Sequence, residues 1–145
     1  MDDRTLLMRA VELARRCPPS DSAFSVGALV VGADGAVLAQ GWSRRDDPKV
    51  HAEEAALGDL DGRVPPGTTV YSSLEPCSVR ASRPRTCTQL ILAAGVERVV
   101  FAWREPSLFV DCEGAELLRA AGVEVVELAE LAGAARSINQ HLFER

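Results

Sequence analysis

Residues 86–103 read Thr-Cys-Thr-Gln-Leu-Ile-Leu-Ala-Ala-Gly-Val-Glu-Arg-Val-Val-Phe-Ala-Trp. Thr86 to Ala94 predicts a helix, Gly95 stops it, and Val96 to Trp103 predicts a strand. The joint is used again. Ala93-Ala94-Gly95-Val96-Glu97 recurs as Ala120-Ala121-Gly122-Val123-Glu124. Each copy is a helix end, a glycine able to take the left-handed cap conformation, and a strand start. A strand is also predicted over Thr68 to Leu74. Strand, helix and strand in succession imply a right-handed crossover and parallel neighbours.

The flanks extend this unit. Asp3 to Arg16 carries Leu6, Leu7, Ala10, Val11, Leu13 and Ala14 on one stripe and predicts a helix, ended by Pro18 and Pro19. Ala23 to Val31 and Ala36 to Trp42 predict a hairpin around Gly32-Ala33-Asp34-Gly35. His51 to Leu60 predicts a helix after a charged loop. Glu113 to Ala121 predicts a helix and Val123 to Leu128 a strand. Ala129 to Phe143 predicts a closing helix. The expected architecture is an α/β protein: a three-layer α/β/α sandwich on a mixed sheet of about five strands, an antiparallel hairpin first and parallel strands later. One domain over residues 1–145 is expected.

Composition narrows the function. The chain has 145 residues, 47% hydrophobic, with a net charge of −5. No apolar run reaches the ~18 residues of a membrane span. Met1 to Arg9 lacks the basic-then-apolar order of a signal peptide, so a cytoplasmic protein is expected. The acidic balance argues against a nucleic-acid surface. Four cysteines, Cys17, Cys77, Cys87 and Cys112, and two histidines, His51 and His141, remain. In a cytoplasmic chain such cysteines point to metal ligands, catalysis or burial.

Ligands of α/β sheets collect at the carboxyl ends of strands. His51-Ala52-Glu53 opens a predicted helix. Leu74-Glu75-Pro76-Cys77 follows a predicted strand, and Cys87 sits at the next helix start. One imidazole and two thiolates suit Zn²⁺ and leave a fourth position open. Helix N-termini would lower the thiol pKa values. Glu53, two residues after His51, is placed to shuttle a proton from an activated water to a leaving amine. Cys17, Cys112 and His141 are expected to be bystanders.

These residues resemble the cytidine deaminase-like superfamily, closest to the deaminase domain of the RibD type in riboflavin biosynthesis. The likeness is carried by Val26-Gly27-Ala28, His51-Ala52-Glu53, Leu74-Glu75-Pro76-Cys77-Ser78, Ala93-Ala94-Gly95-Val96, Glu105-Pro106 and the Gly114 to Val125 unit. It implies zinc on His51, Cys77 and Cys87, Glu53 as proton shuttle, and a homo-oligomer, dimer or tetramer. It also implies a hydrolytic deaminase acting on an aminopyrimidine, with the diaminopyrimidine ribosylamino phosphate of riboflavin synthesis as first candidate. A cytosine-type base, nucleoside or nucleotide, or a related secondary metabolite, is the alternative. An idle zinc-stabilised binding module is the alternative of another class, and the intact Glu53 argues against it. A nucleic-acid editing enzyme is a third, disfavoured by the acidic charge.

The departures fall where a substrate would be read. RibD-type enzymes carry a run like Cys-Ser-His-x-Gly-(Lys/Arg)-Thr-Pro-Pro-Cys between the zinc cysteines. Here the interval is one residue longer, Val79 replaces the histidine, and Arg83-Pro84-Arg85-Thr86 replaces the basic-Thr-Pro-Pro run. Ala23-Phe24-Ser25 stands for Asn-Pro-Pro, and Glu105-Pro106-Ser107-Leu108 for Asp-Pro-Asn-Pro. Of the loop arginines Arg80, Arg83 and Arg85, likeness to the basic-Thr pair favours Arg85 with Thr86, with Arg83 as the neighbouring choice, for a phosphate. Trp103 and Phe24 are candidates for stacking on a base. A solvated cluster for the arginines and plain core packing for the aromatics are the simpler readings.

Overall fold

The computed structural model describes residues 1–109 and 111–144. Helix α1 (Asp3–Leu13) starts on Asp2, whose side chain accepts from Thr5 N, and runs into a 3-10 turn at Ala14–Arg16. Strands β1 (Gly27–Val31) and β2 (Val37–Trp42) form the expected hairpin. Then come α2 (Ala52–Gly58), β3 (Thr69–Leu74), α3 (Cys87–Ala94), β4 (Arg98–Trp103), α4 (Gly114–Ala120), β5 (Glu124–Glu127) and α5 (Ala132–Ile138). Gly95 caps α3 at φ 86°, the left-handed conformation that the sequence pattern requires.

The sheet order is β2-β1-β3-β4-β5. β1 pairs antiparallel with both β2 and β3, whereas β3–β4 and β4–β5 are parallel. Alternate strand residues face opposite layers. Leu29, Tyr71 and Val100 pack under α1 and α5 with Leu7, Val11 and Ala135. Val30, Val70 and Val99 pack under α2, α3 and α4 with Leu57, Ile91 and Leu118. This is the expected three-layer sandwich.

Two boundaries differ from expectation. The first strand begins at Gly27, not Ala23. Ahead of it, side chains capture the backbone: Ser25 N donates to Asn139 Oδ1 at 2.6 Å and Val26 N to Ser43 Oγ at 2.9 Å. The closing helix over 129–143 is split. A 3-10 turn at Ala129–Leu131 precedes α5, and another at Gln140–Phe143 follows Asn139. Asn139 is buried, and its amide donates to Ser25 O and Ala135 O, so the chain turns there to satisfy it.

The register places the functional end. Gly27 pairs with Trp42, Ala28 with Ser72, and Leu74 with Trp103. The start of β1 and the ends of β2, β3 and β4 therefore lie at one edge of the sheet. The loops after those three strands and the loop before β1 converge there.

Candidate active site

His51 is the N-cap residue of α2. Its N–H donates to Glu54 Oε1 at 3.1 Å, and its carbonyl accepts the first helical bond from Ala55 N at 2.9 Å. Cys87 opens α3, which is fixed by Thr86: the Thr86 hydroxyl accepts from Gln89 N, and the Gln89 side chain accepts from Thr86 N. Cys87 N donates to Cys77 Sγ at 3.2 Å, and Thr88 N to Cys77 O at 3.2 Å. Two helix starts and one post-strand turn thus meet at three donor atoms.

The separations test the metal directly. His51 Nδ1 lies 3.6 Å from Cys77 Sγ and 3.4 Å from Cys87 Sγ. Tetrahedral zinc with ordinary Zn–S and Zn–N bonds would set such atoms roughly 3.5–3.6 Å apart. All three donors lie within 4.8 Å of one another, and this is the one such cluster among the described residues. The pair of thiols is strongly asymmetric. Cys77 is held down to about 4, chiefly because the Cys87 thiol donates to it, with His51 assisting against burial. Cys87 is pushed up as the donor of that pair and by burial. Zinc is the cofactor this donor set fits.

Glu53, on the first turn of α2, is only 4% exposed. Burial, reinforced by the negative charge at Cys77, raises its carboxyl to about 7, with His51 pulling the other way. Ser72 Oγ lies 3.4 Å from Glu53 Oε2, but its single hydrogen has a closer acceptor in Leu74 O at 2.7 Å. The carboxyl is left able to exchange a proton.

A cavity of about 380 Å³ opens on these groups, with Phe24, His51, Glu53, Cys77, Arg80 and Glu105 in its wall. Arg44 holds the 18–25 wall through Pro18 O, Phe24 O and Ser25 Oγ. Buried Glu75 holds the opposite wall: its carboxylate accepts from Glu105 N at 3.2 Å and Ala115 N at 3.0 Å. Glu105 is itself raised to about 7 by burial.

The residues expected to meet substrate are placed unevenly. Phe24 lines the cavity, 5.1 Å from Phe109 and 5.5 Å from Trp103 by ring centroids. Trp103 is 9% exposed, packs on Phe24 and Phe143, and is not part of the cavity wall. Thr86 spends its hydroxyl on the α3 cap. Arg83 is paired with Asp47 at 2.5 Å and Glu54 at 3.3 Å. Arg85 is exposed and outside the wall. Arg80 is the loop arginine in the wall. Its spacing from Cys77 gave no sign of that, because burial depends on Glu54 from another element. Glu75 and Arg44 were likewise hidden. Cys17 and Cys112 bond to Val26 O and Pro76 O, and His141 is exposed beside Ser20 O, all outside the donor cluster.

Residues 1–103 match the profile described as the cytidine and deoxycytidylate deaminase zinc-binding region. The chain belongs to this family. Among relatives of this chain, the diaminohydroxyphosphoribosylamino-pyrimidine deaminase of Schizosaccharomyces pombe is 40% identical over 125 residues, 83% of this chain and 31% of that protein. The riboflavin biosynthesis protein RibD of Aquifex aeolicus is 37% identical over 119 residues, 82% of this chain and 32% of that protein. The chain therefore spans about a third of these relatives. A Thermotoga maritima diaminohydroxyphosphoribosylaminopyrimidine deaminase and 5-amino-6-(5-phosphoribosylamino)uracil reductase superposes with TM-score 0.80 at 31% identity, over 97% of this chain and 40% of that one. An Aspergillus oryzae Rib2 deaminase shares the fold at TM-score 0.78 and 22% identity, covering 98% of this chain and 97% of that one. No helix among the described residues is long and apolar enough to cross a membrane.

Proposed function

We propose that this zinc-dependent hydrolase deaminates an aminopyrimidine, and that its substrate is the diaminopyrimidine ribosylamino phosphate of riboflavin synthesis. The observation that carries the reading is Glu53, a buried carboxyl raised to about 7 in the same cavity as His51 and Cys77, with the third donor, Cys87, clustered behind them. Bound zinc supplies Lewis-acid activation of water. Glu53 is the catalytic residue. As carboxylate it accepts a proton from the attacking water, and as acid it delivers that proton to the amine nitrogen. A pKa near neutrality lets it do both at the working pH. The carbon–oxygen bond forms and the carbon–nitrogen bond breaks, so water and an amine become a carbonyl and ammonia. The cavity walls, pinned by Arg44 and Glu75, keep the ring in place and restrict bulk water.

The names of the relatives support the substrate, since they and this chain share the zinc-binding region. The resemblance further supports a cytoplasmic homo-oligomer, dimer or tetramer. Sedimentation of the purified chain checks the assembly, and cell fractionation checks the compartment. Ammonia release from the diaminopyrimidine phosphate, cytidine and deoxycytidylate tests the activity. Preferred turnover of the first is expected. Turnover confined to a cytosine compound would overturn the substrate, and no ammonia from any would overturn the activity.

A further inference from the structure

Among the described residues, two buried side-chain polar atoms lack a hydrogen-bond partner, Arg80 Nη1 and Glu105 Oε2. Both belong to residues in the wall of the active cavity. Buried unpaired polar groups are costly and are normally avoided. A ligand in that cavity would be a source of the missing partners.

Arg80 is the more informative. Its side chain is 3% exposed. Nη2 donates to Glu54 Oε1 and to Lys49 O, each at 2.7 Å, and Nε to Ser82 Oγ at 3.1 Å. These contacts fix the guanidinium plane and leave Nη1. The other cations compare poorly. Arg44 is committed to backbone carbonyls and Ser25, Arg83 to Asp47 and Glu54, and Arg85 is outside the wall. Lys49 also lines the cavity, and its carbonyl accepts from Arg80 Nη2.

We propose that Arg80 is the substrate-binding residue for an anionic group, a phosphate monoester, presented by the aminopyrimidine. This rests on the deaminase reading above and assigns the phosphate to Arg80, not to Arg83 or Arg85. A guanidinium already oriented by Glu54 loses little freedom on binding, so it suits a fixed anion. Glu54 is the positioning residue behind it.

The test measures kcat and KM of the zinc-loaded enzyme on the diaminopyrimidine ribosylamino phosphate and on its dephosphorylated counterpart. Binding of ribose 5-phosphate is followed by calorimetry. Wild type should prefer the phosphate. Arg80→Gln should raise KM for it by about tenfold to a hundredfold, the worth of a charged hydrogen bond, and shrink the preference for phosphate over dephosphorylated substrate by the same factor. Arg80→Lys, which keeps the charge, should recover part of the loss. Zinc content is measured on each variant. Equal losses on both substrates would reduce Arg80 to a loop support and overturn the proposal. So would absence of a phosphate preference in wild type, or its loss in Arg85→Gln with retention in Arg80→Gln. If neither substrate is turned over, the substrate reading fails separately. Ribose 5-phosphate binding that disappears in Arg80→Gln then supports the subsite, and binding that is absent or indifferent to the change overturns it.

Discussion

His51 Nδ1 stands 3.4 Å from Cys87 Sγ, the first residue of one helix against the cap of another. That contact exists only because α2 and α3 aim their starts at one point, and it is close to the separation a shared zinc ion would set. Cys87→Ala should drop bound zinc from roughly one per chain to near zero, since two donors are too few for a stable site. Metal analysis by mass spectrometry after gel filtration reads this. Full occupancy in the variant would remove Cys87 from the ligand set.

Glu53→Gln separates chemistry from metal holding. The amide fits the same buried space but cannot take up or deliver a proton. Zinc content should stay at the wild-type value, while kcat falls by about 10²- to 10⁴-fold. Ammonia release under saturating substrate is the measurement. Unimpaired turnover would assign the proton transfer elsewhere, with Glu105 the next carboxyl in the wall.

Much of this was legible in sequence, for identifiable reasons. The Gly95 cap and the Val-rich strand after it are local signals, and both elements formed where those signals lie. The zinc donors were legible because each occupies a stereotyped position, a helix start or a post-strand turn. The burial of Arg80 was not, because it depends on Glu54 meeting it across 26 residues of chain. Trp103 carried two readings, core packing and, less favoured, base stacking. Its neighbours Phe24 and Phe143 come from opposite ends of the chain, so only tertiary structure decides between them. The early start of the first strand was misread because a β-favouring composition at Ala23–Val26 was overridden by Asn139 and Ser43.

Gly41 tests how tightly α2 must sit on the sheet. A Cβ there would lie 2.2 Å from Ala52 O and 2.8 Å from Ala56 N, both backbone atoms. Gly41→Ala must therefore push the whole helix outward. A loss of about 1–3 kcal/mol in urea unfolding is expected. Ala52 lies between His51 and Glu53, so activity should fall further than stability alone explains. An unchanged unfolding midpoint would mean that α2 has slack.

Asp3 ties the first helix to the sheet and gives the fold an acid-sensitive joint. Its carboxylate accepts from Arg98 Nη1 at 2.8 Å, Arg98 Nη2 at 2.6 Å and Tyr71 Oη at 2.6 Å. The Arg98 hydrogen bonds outweigh burial and bring Asp3 down from 3.8 to about 2. The folded state thus binds this proton less readily than the unfolded chain. The contribution to stability is complete above the unfolded pKa and is lost as pH falls through about 2. Wild type should lose stability across that window more steeply than Asp3→Asn, which has no proton to gain. Denaturant unfolding measured at intervals from about pH 5 down to about pH 2 gives the two slopes. Tyr71→Phe removes one donor and should fall between them, while coincident slopes for wild type and Asp3→Asn would show that the joint adds nothing to acid stability.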